Sequence, residues 1–359
     1  MANLLIITQK VDEYDDLLGS FVGWIREFAK NFDRVFVIAL GSGKYELPAN
    51  VEVRSLGKEK HTNAPIRILK LKMLFKFYWY LFKLVPKSDG IFVHMSPIFA
   101  VAAAPVAKFY RKKIVLWYLH RSVTFRLRFA ALLSHKIVTA SAESLGIKIP
   151  AKILSVGHGI DISRFNLEKP QLFHGGQGTL RILSVGRISP IKNYETLINA
   201  AEILKNRGLH SKTEIVGQPV MPGDHKYFEF LKNQVVSRNL EDSIKFTGLV
   251  PYSQIAGYYK DADLVVNLTP RGGIDKTVLE AMASGALVLV SNRVFDKILG
   301  PYADDLIFRE NDAEDLAAKL KKLNDLSSPE RFKISDYLKS EVLQNHNLVR
   351  TIKLISQLF

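Results

Sequence analysis

The sequence predicts an α/β protein built from two doubly wound, Rossmann-like domains. Three observations predict it: apolar strands alternate with amphipathic helices, the alternation breaks at a Pro/Gly-rich stretch, and it then restarts. A parallel sheet covered on both faces is what near-continuous apolar strands joined by helices require. In the first half, residues 4–8, 34–39, 51–56, 90–94, 113–118, 136–140 and 153–156 read as short buried strands. Residues 17–32 and 98–111 read as helices between them. The break falls at residues 166–179, where Pro170, Gly175, Gly176 and Gly178 form a linker. Strands are then expected at 180–185, 212–216, 244–247, 264–268 and 286–291, and helices at 193–206, 224–238, 255–260, 277–284 and 313–326. A last helix, roughly 335–359, has no strand after it. The domains are thus residues 1–168 and 169–339, with the C-terminal helix at about 340–359 packing back on the first.

At 359 residues, 47% apolar and 24% charged, the chain can bury two ordinary globular cores, which excludes disorder. It has no cysteine, so disulfides and cysteine metal sites are excluded and a reducing compartment is consistent. MANLLIITQK lacks the basic start and small-residue cleavage site of a signal peptide. Lysines or prolines break every apolar run before about 18 residues, so no transmembrane helix is expected and the protein is read as cytoplasmic. The charge of +15 is one-sided: residues 1–165 hold 25 Lys and Arg against 12 Asp and Glu, and the remainder is close to balanced. Such a field implies an anionic partner.

Two segments of the second half suggest chemistry. In residues 181–204, a strand ends at Val185, Gly186 turns the chain, and Arg187 and Lys192 flank Pro190 before a helix. Ligands of open α/β sheets bind at the carboxyl ends of the strands, and two cations on one such loop suit a diphosphate, a forked Arg beside a mobile Lys. The plain alternative is a solvated basic loop. In TPRGGIDKTVLEAMASG, residues 269–285, Gly272 and Gly273 let a ligand approach the backbone, and a helix starts near Lys276 with its positive dipole end toward the loop. Glu280, one turn in, is placed to accept hydrogen bonds from vicinal hydroxyls. The alternative is a carboxylate favoured only by the helix dipole, but the small, apolar AMASG that follows does not suit an exposed helix.

With these residues in view, GRISPIKN and GGIDKTVLEAMASGALVLVSN resemble the donor-binding half of the family 4 retaining glycosyltransferases of the GT-B fold, two domains facing a central cleft. VGHGIDISRF, residues 156–165, is similar to the segment preceding that family's second domain, with His158 in place of an Asn. The resemblance implies that Arg187 and Lys192, beside Gly186, hold the donor diphosphate and that Glu280 holds the ribose. It implies that backbone N–H groups around Ile274, Asp275, Lys276 and Thr277 meet phosphate or sugar. It further implies that Gly19 lets the N-terminal loop approach the diphosphate, that His120 is the cleft histidine near the transferred sugar, and that Val250 lies in the base-contacting loop. Catalysis would then fall to His120, Arg187 and Lys192. The family's second glutamate, eight residues before Glu280, is here Gly272. Asp275 is the nearest carboxylate, able either to substitute for it or to pair with Lys276.

What this implies is a hexosyltransferase in glycan biosynthesis. It needs no cofactor and no metal, the nucleotide-sugar being a co-substrate, and it stabilises the leaving diphosphate with cations and dipoles. The acidic pairs lend a metal little support: Asp261 and Asp263 precede a buried strand instead of following one. Two other readings remain: a non-catalytic GT-B protein that binds sugar-nucleotide or glycan, and a GT-B phosphorylase.

Residues 66–87 hold six basic residues, six aromatics and no acid, and residues 90–142 hold eight more Lys and Arg, again with no acid. On a helical wheel Lys72, Lys76 and Lys83 share one face, with Leu74, Phe77, Tyr78, Leu81 and Leu84 largely elsewhere; Lys87 extends that face only if the helix survives Pro86. This is the pattern of an interfacial helix on an anionic membrane surface, and the plain alternative is the wet face of a packed helix. Nucleic acid is the poorer partner, since no recognition motif accompanies the charge. The expected acceptor is a glycan or lipid-linked, phosphate-bearing molecule at the inner membrane face, with Arg121, Arg126 and Arg128 able to hold an anionic acceptor. His94, ending a strand before Met95, is expected to line the cleft beside it.

Overall fold

Parallel neighbours need a crossover between each pair of strands, and that requirement organises the chain. The computed structural model describes residues 2–15, 18–60, 66–142, 145–147, 149–165 and 178–359, with backbone alone at 60 and 66–69. The expected linker therefore lies outside the described residues up to 177. Two compact units emerge: Met1–Asp161 with Asn345–Phe359, and Ile162–Gln344.

Unit 1 is a seven-stranded parallel sheet in the order β3-β2-β1-β4-β5-β6-β7. Its strands are β1 Asn3–Val11, β2 Arg34–Ser42, β3 Val51–Ser55, β4 Gly90–His94, β5 Lys113–Trp117, β6 Lys136–Thr139 and β7 Ile153–Ser155. The helices are α1 Ser20–Ala29, α2 Ile66–Leu84, α3 Pro97–Phe109 and α4 Phe125–Leu133. Strand side chains alternate between faces. Leu5, Ile7, Ile38, Val93 and Leu116 therefore pack toward α2, α3 and α4, while Leu4, Ile6, Val37, Phe92 and Val115 meet Phe21, Trp24 and Phe28 of α1. Leu4 to Ile7 are wholly buried, each such side chain contributing about 1.5–3 kcal/mol.

Unit 2 opens with α5 Ile162–Phe165 and is a five-stranded parallel sheet in the order β10-β9-β8-β11-β12. The strands are β8 Leu180–Val185, β9 Ser211–Val216, β10 Ile244–Gly248, β11 Leu264–Asn267 and β12 Leu287–Val290. The helices are α6 Tyr194–Asn206, α7 Pro222–Ser237, α8 Ile255–Asp261, α9 Lys276–Ala283, two single turns (α10 Asp296–Leu299 and α11 Ala303–Leu306), α12 Ala313–Asn324 and α13 Ser328–Asn345. The division falls at Asp161, before the expected residue 168, because the buried ring of Phe165 packs on Tyr252 and Tyr259 of unit 2.

The single terminal helix expected over 335–359 is instead two, α13 and α14 Leu348–Ser356. Ile160 inserts between them: its N–H donates to the His346 carbonyl at 2.7 Å and its carbonyl accepts from Leu348 N–H at 2.9 Å. Asn347 then caps α14 through its side chain, accepting from Val349 N–H at 2.7 Å. Leu348, Ile352 and Ile355 of α14 complete the α1 side of the unit 1 core.

His346, at this junction, is buried and accepts the His158 N–H at Nδ1, 3.2 Å away. Burial, with His158 and Arg350 nearby, pushes its pKa down to about 3. A histidine neutral in the fold but protonated when unfolded stabilises the fold fully above its ordinary pKa of about 6.5, and that contribution is lost as pH falls from there toward 3. Between about pH 6 and 4, wild-type stability should therefore fall more steeply than that of His346→Asn, by about 1.4 kcal/mol per pH unit. Urea unfolding at stepped pH measures this, and equal slopes would reject it.

Candidate functional site

Where neighbouring strands send their connections in opposite directions, a crevice opens at their carboxyl ends. In unit 2 that point lies between β8 and β11, neighbours in the sheet although not in sequence. The loops leaving them carry residues 186–193 and 268–275, so two segments far apart in the chain meet there. Lys192 Nζ lies 2.7 Å from Asp275 Oδ2. The same oxygen accepts from Asn267 Nδ2 at 2.9 Å and Thr269 Oγ1 at 3.3 Å. Burial alone would raise the Asp275 pKa, but the Lys192 charge and these three hydrogen bonds outweigh it and hold the carboxyl below its ordinary range.

Asp275 occupies the N-cap position of α9, yet its side chain makes no capping bond. Its turn toward Lys192 leaves the first turn of α9 uncapped by a side chain, and a helix start of this kind attracts anions. Gly272 has φ +133 with open space around its Cα. An L side chain rarely adopts that backbone, so a glutamate at 272 would need a different loop. Asp275 is thus the carboxylate that this loop presents.

Glu280 sits one turn into α9 and is 3% exposed. Tyr252 donates its hydroxyl to Oε1 at 2.9 Å and Tyr259 to Oε2 at 3.2 Å. Lys276 Nζ is 3.3 Å from Oε1 and lies over the Tyr252 ring, 4.7 Å from its centroid. Lys276 therefore pairs with Glu280, and the cation paired with Asp275 is Lys192. Burial and the Glu280 charge raise the Tyr259 pKa, so its hydroxyl remains a donor. A dipole-favoured surface carboxylate would be exposed; this one is buried and held on both oxygens. Val250, half-buried, lies two residues before Tyr252. Arg187 is half-exposed and its Nε is 3.7 Å from Asp224 at the start of α7. Tyr252, Tyr259, Asn267 and Thr269 escaped sequence reading, although all four lie on or beside segments it had selected.

The candidate residues of unit 1 are more varied. Gly19 precedes α1, where a Cβ would sit 2.5 Å from the Asp15 carbonyl oxygen, so only glycine fits. The His94 ring is buried and stacks on Phe21 with centroids 3.7 Å apart, and Nδ1 is 3.2 Å from Thr8 Oγ1. His120 is exposed beyond β5, its ring against Tyr118. Arg121, Arg126 and Arg128 are exposed.

On α2, Lys72, Lys76 and Lys83 are exposed as expected, but they share that side with Leu71, Leu74, Phe75, Trp79 and Phe82, and Lys83 lies over the Trp79 ring. Leu74, expected away from the lysines, is exposed with them, and packing buries Phe77, Leu81 and Leu84. The α-helix ends at Leu84 and tightens through Val85–Lys87 around Pro86, so Lys87 falls off the α2 face.

Size alone does not locate a site in unit 2. A recess of about 820 Å3 lies at the opposite, amino-terminal edge of the sheet, among Arg181, Lys212, Asp242 and Asp261. Asp263, near that edge, accepts the Arg181 backbone N–H at 2.9 Å and is paired with its guanidinium. Among the described residues no helix is long and apolar enough to cross a membrane.

Residues 173–340 match the family model of glycosyl transferases group 1. The alpha-monoglucosyldiacylglycerol synthase of Streptococcus pneumoniae is 29% identical over 183 residues, 46% of this chain and 39% of that protein. The amylovoran biosynthesis glycosyltransferase AmsK of Erwinia amylovora is 30% identical over 206 residues, 55% and 47% of the two chains. The chain thus spans less than half the length of these two relatives in the matched regions. Anabaena HepE, solved with UDP and glucose, superposes over 100% of this chain and 99% of its own with a TM-score of 0.76 at 17% identity. Sucrose-phosphate synthase of Thermosynechococcus elongatus does so over 100% and 98%, with a TM-score of 0.74 at 16% identity. The fold is GT-B, as in these solved structures, and residues 173–340 resemble the glycosyl transferases group 1.

The bond between the two loops is measurable. A double-mutant cycle of Lys192→Ala and Asp275→Ala should give a coupling energy of about 1–2 kcal/mol in urea unfolding; additive effects would show that the pair does not hold the loops.

Proposed function

We propose that the protein is a retaining glycosyltransferase of family 4 that moves a hexose from a nucleotide-sugar to a lipid-linked or otherwise anionic acceptor at the cytoplasmic face of a membrane. The observation that carries this reading is the cluster of Lys192, Asp275 and Glu280 at the switch point of unit 2, inside the family match. Lys192 has three N–H donors, and one directed at Asp275 leaves two for a diphosphate. Arg187 and the start of α9 add positive potential to the same group. Glu280, already fixed by two tyrosines, retains lone pairs for the two ribose hydroxyls. Val250 and its loop then contact the base, Gly19 gives the N-terminal loop its approach to the diphosphate, and Gly272 and Gly273 leave room for the sugar beside Asp275.

In the proposed reaction the bond from the anomeric carbon to the phosphate oxygen breaks on the face where the acceptor oxygen attacks. The acceptor proton passes to the leaving phosphate, whose charge the cations and helix dipole stabilise. Neither metal nor cofactor is needed, and His120 contacts the transferred sugar. Nucleotide complexes of HepE and a relative named for making a glucosylated diacylglycerol support the donor and acceptor classes. The basic, aromatic faces of α2 and α4 support a membrane surface: aromatic rings seat at the headgroup level while lysines meet anionic lipid.

Lys192→Ala or Arg187→Ala should reduce turnover by two or more orders of magnitude, and near-normal rates would refute the diphosphate role. A thermal-shift screen against UDP-, GDP- and ADP-sugars should show one base stabilising the fold, by about 2.7 kcal/mol at roughly 100 times Kd, and Glu280→Ala should abolish that shift. Binding without turnover on membrane lipid extract would favour the non-catalytic reading, and sugar phosphate formed from glycan and orthophosphate would favour the phosphorylase. Exchanging Lys72, Lys76, Lys83 and Lys87 for Glu should prevent sedimentation with anionic vesicles; unchanged sedimentation would remove the membrane argument.

A further inference from the structure

Unit 1 carries a recess of about 580 Å3, a size typical of ligand sites, beside α4. Val123, Ala131, Leu132, Ile147 and Ile149 make its apolar wall, and Arg128 and Lys152 are its cations. Lys152 is committed: its ammonium donates to the carbonyls of Ala131, Leu132 and Ser134 at 3.0, 2.8 and 2.9 Å, closing the carboxyl end of α4. Arg128 has no acidic partner among the described residues, and neither has Arg126. The face of α4 that carries Arg128 and Leu132 also carries Phe125, 74% exposed, and Phe129, one turn apart. An apolar recess, an exposed apolar stripe and the Arg128 guanidinium, without an acidic partner among the described residues and in a stretch from 90 to 142 without one carboxylate, complement a single kind of molecule: an amphiphile with an anionic head.

We propose that this recess takes the hydrocarbon chain of a lipid phosphate, with the phosphate held by Arg128. The inference rests on the lipid-linked acceptor of the preceding reading and assigns that acceptor's tail a place in unit 1. A forked guanidinium suits a phosphate better than a point charge does, and the chain gains free energy by leaving water for the wall of Val123, Ala131 and Leu132.

The test uses the full chain and dodecyl phosphate below its critical micelle concentration, followed by titration calorimetry. Dodecyl phosphate should bind at least tenfold more tightly than inorganic phosphate and than dodecyl maltoside, also below its critical micelle concentration. Val123→Trp, which fills the recess from its rim, and Leu132→Glu and Arg128→Gln should each weaken binding tenfold or more with unchanged Tm; all three sites lie at the surface, so the fold should survive. Equal binding of dodecyl phosphate to wild type and to Val123→Trp and Arg128→Gln would overturn the proposal. Unchanged sugar transfer to lipid extract by Val123→Trp would overturn it while leaving the glycosyltransferase reading intact. Loss of dodecyl phosphate binding in the variants of a protein that transfers no sugar would support the recess and reject the enzyme.

Discussion

The candidate site depends on one topological constraint: β8 and β11 lie side by side, but the chain leaves them toward different helices. A doubly wound sheet must have such a point, and no strand residue can fill it, because the diverging connections pull the backbone away. What fills it are the loop side chains. The Lys192–Asp275 pair ties the two connections together, and the orientation of α9 follows from that tie. With the Asp275 carboxylate drawn off its helix, the α9 amino terminus is left for another anion, and the buried end of the same helix fixes Glu280 between two tyrosines. Charge placement and backbone direction are thus set by the same few atoms.

Most of the fold was legible because parallel, doubly covered sheets write themselves as short apolar runs. The expected strands at 90–94 and 180–185 coincide with β4 and β8, and the others differ at their ends by a few residues. Legibility failed where a distant segment decides. The break between α13 and α14 has no proline or glycine to mark it; it exists because Ile160, far away in sequence, takes the backbone groups on either side. Similarly, the exposed side of α2 could not be read from its lysines, because nearly every position on that helix is apolar or basic and the sheet alone selects which side is buried.

The site was legible in its anchors and not in their partners. Arg187, Lys192, Asp275 and Glu280 stand out in sequence because charge beside glycine and small apolar residues is unusual. Which cation meets which carboxylate was not readable: Lys276 is adjacent to Asp275, but residues four apart share a helix face and Glu280 leans back over the first turn to meet it. Tyr252 and Tyr259 look like ordinary core aromatics until Glu280 is buried between them. The two neutral hydroxyls add to the Lys276 charge, and together the three groups hold the carboxylate in place.

The return of α14 to unit 1 bears on the order in which the protein is made. Unit 2 is continuous in sequence, but unit 1 is closed by residues that follow all of it. During synthesis the α1 side of the first sheet, with Trp24 and Phe28, must wait for Leu348, Ile352 and Ile355, so the half that begins the chain is the half that finishes folding last. Until then it exposes apolar surface of the kind that chaperones bind.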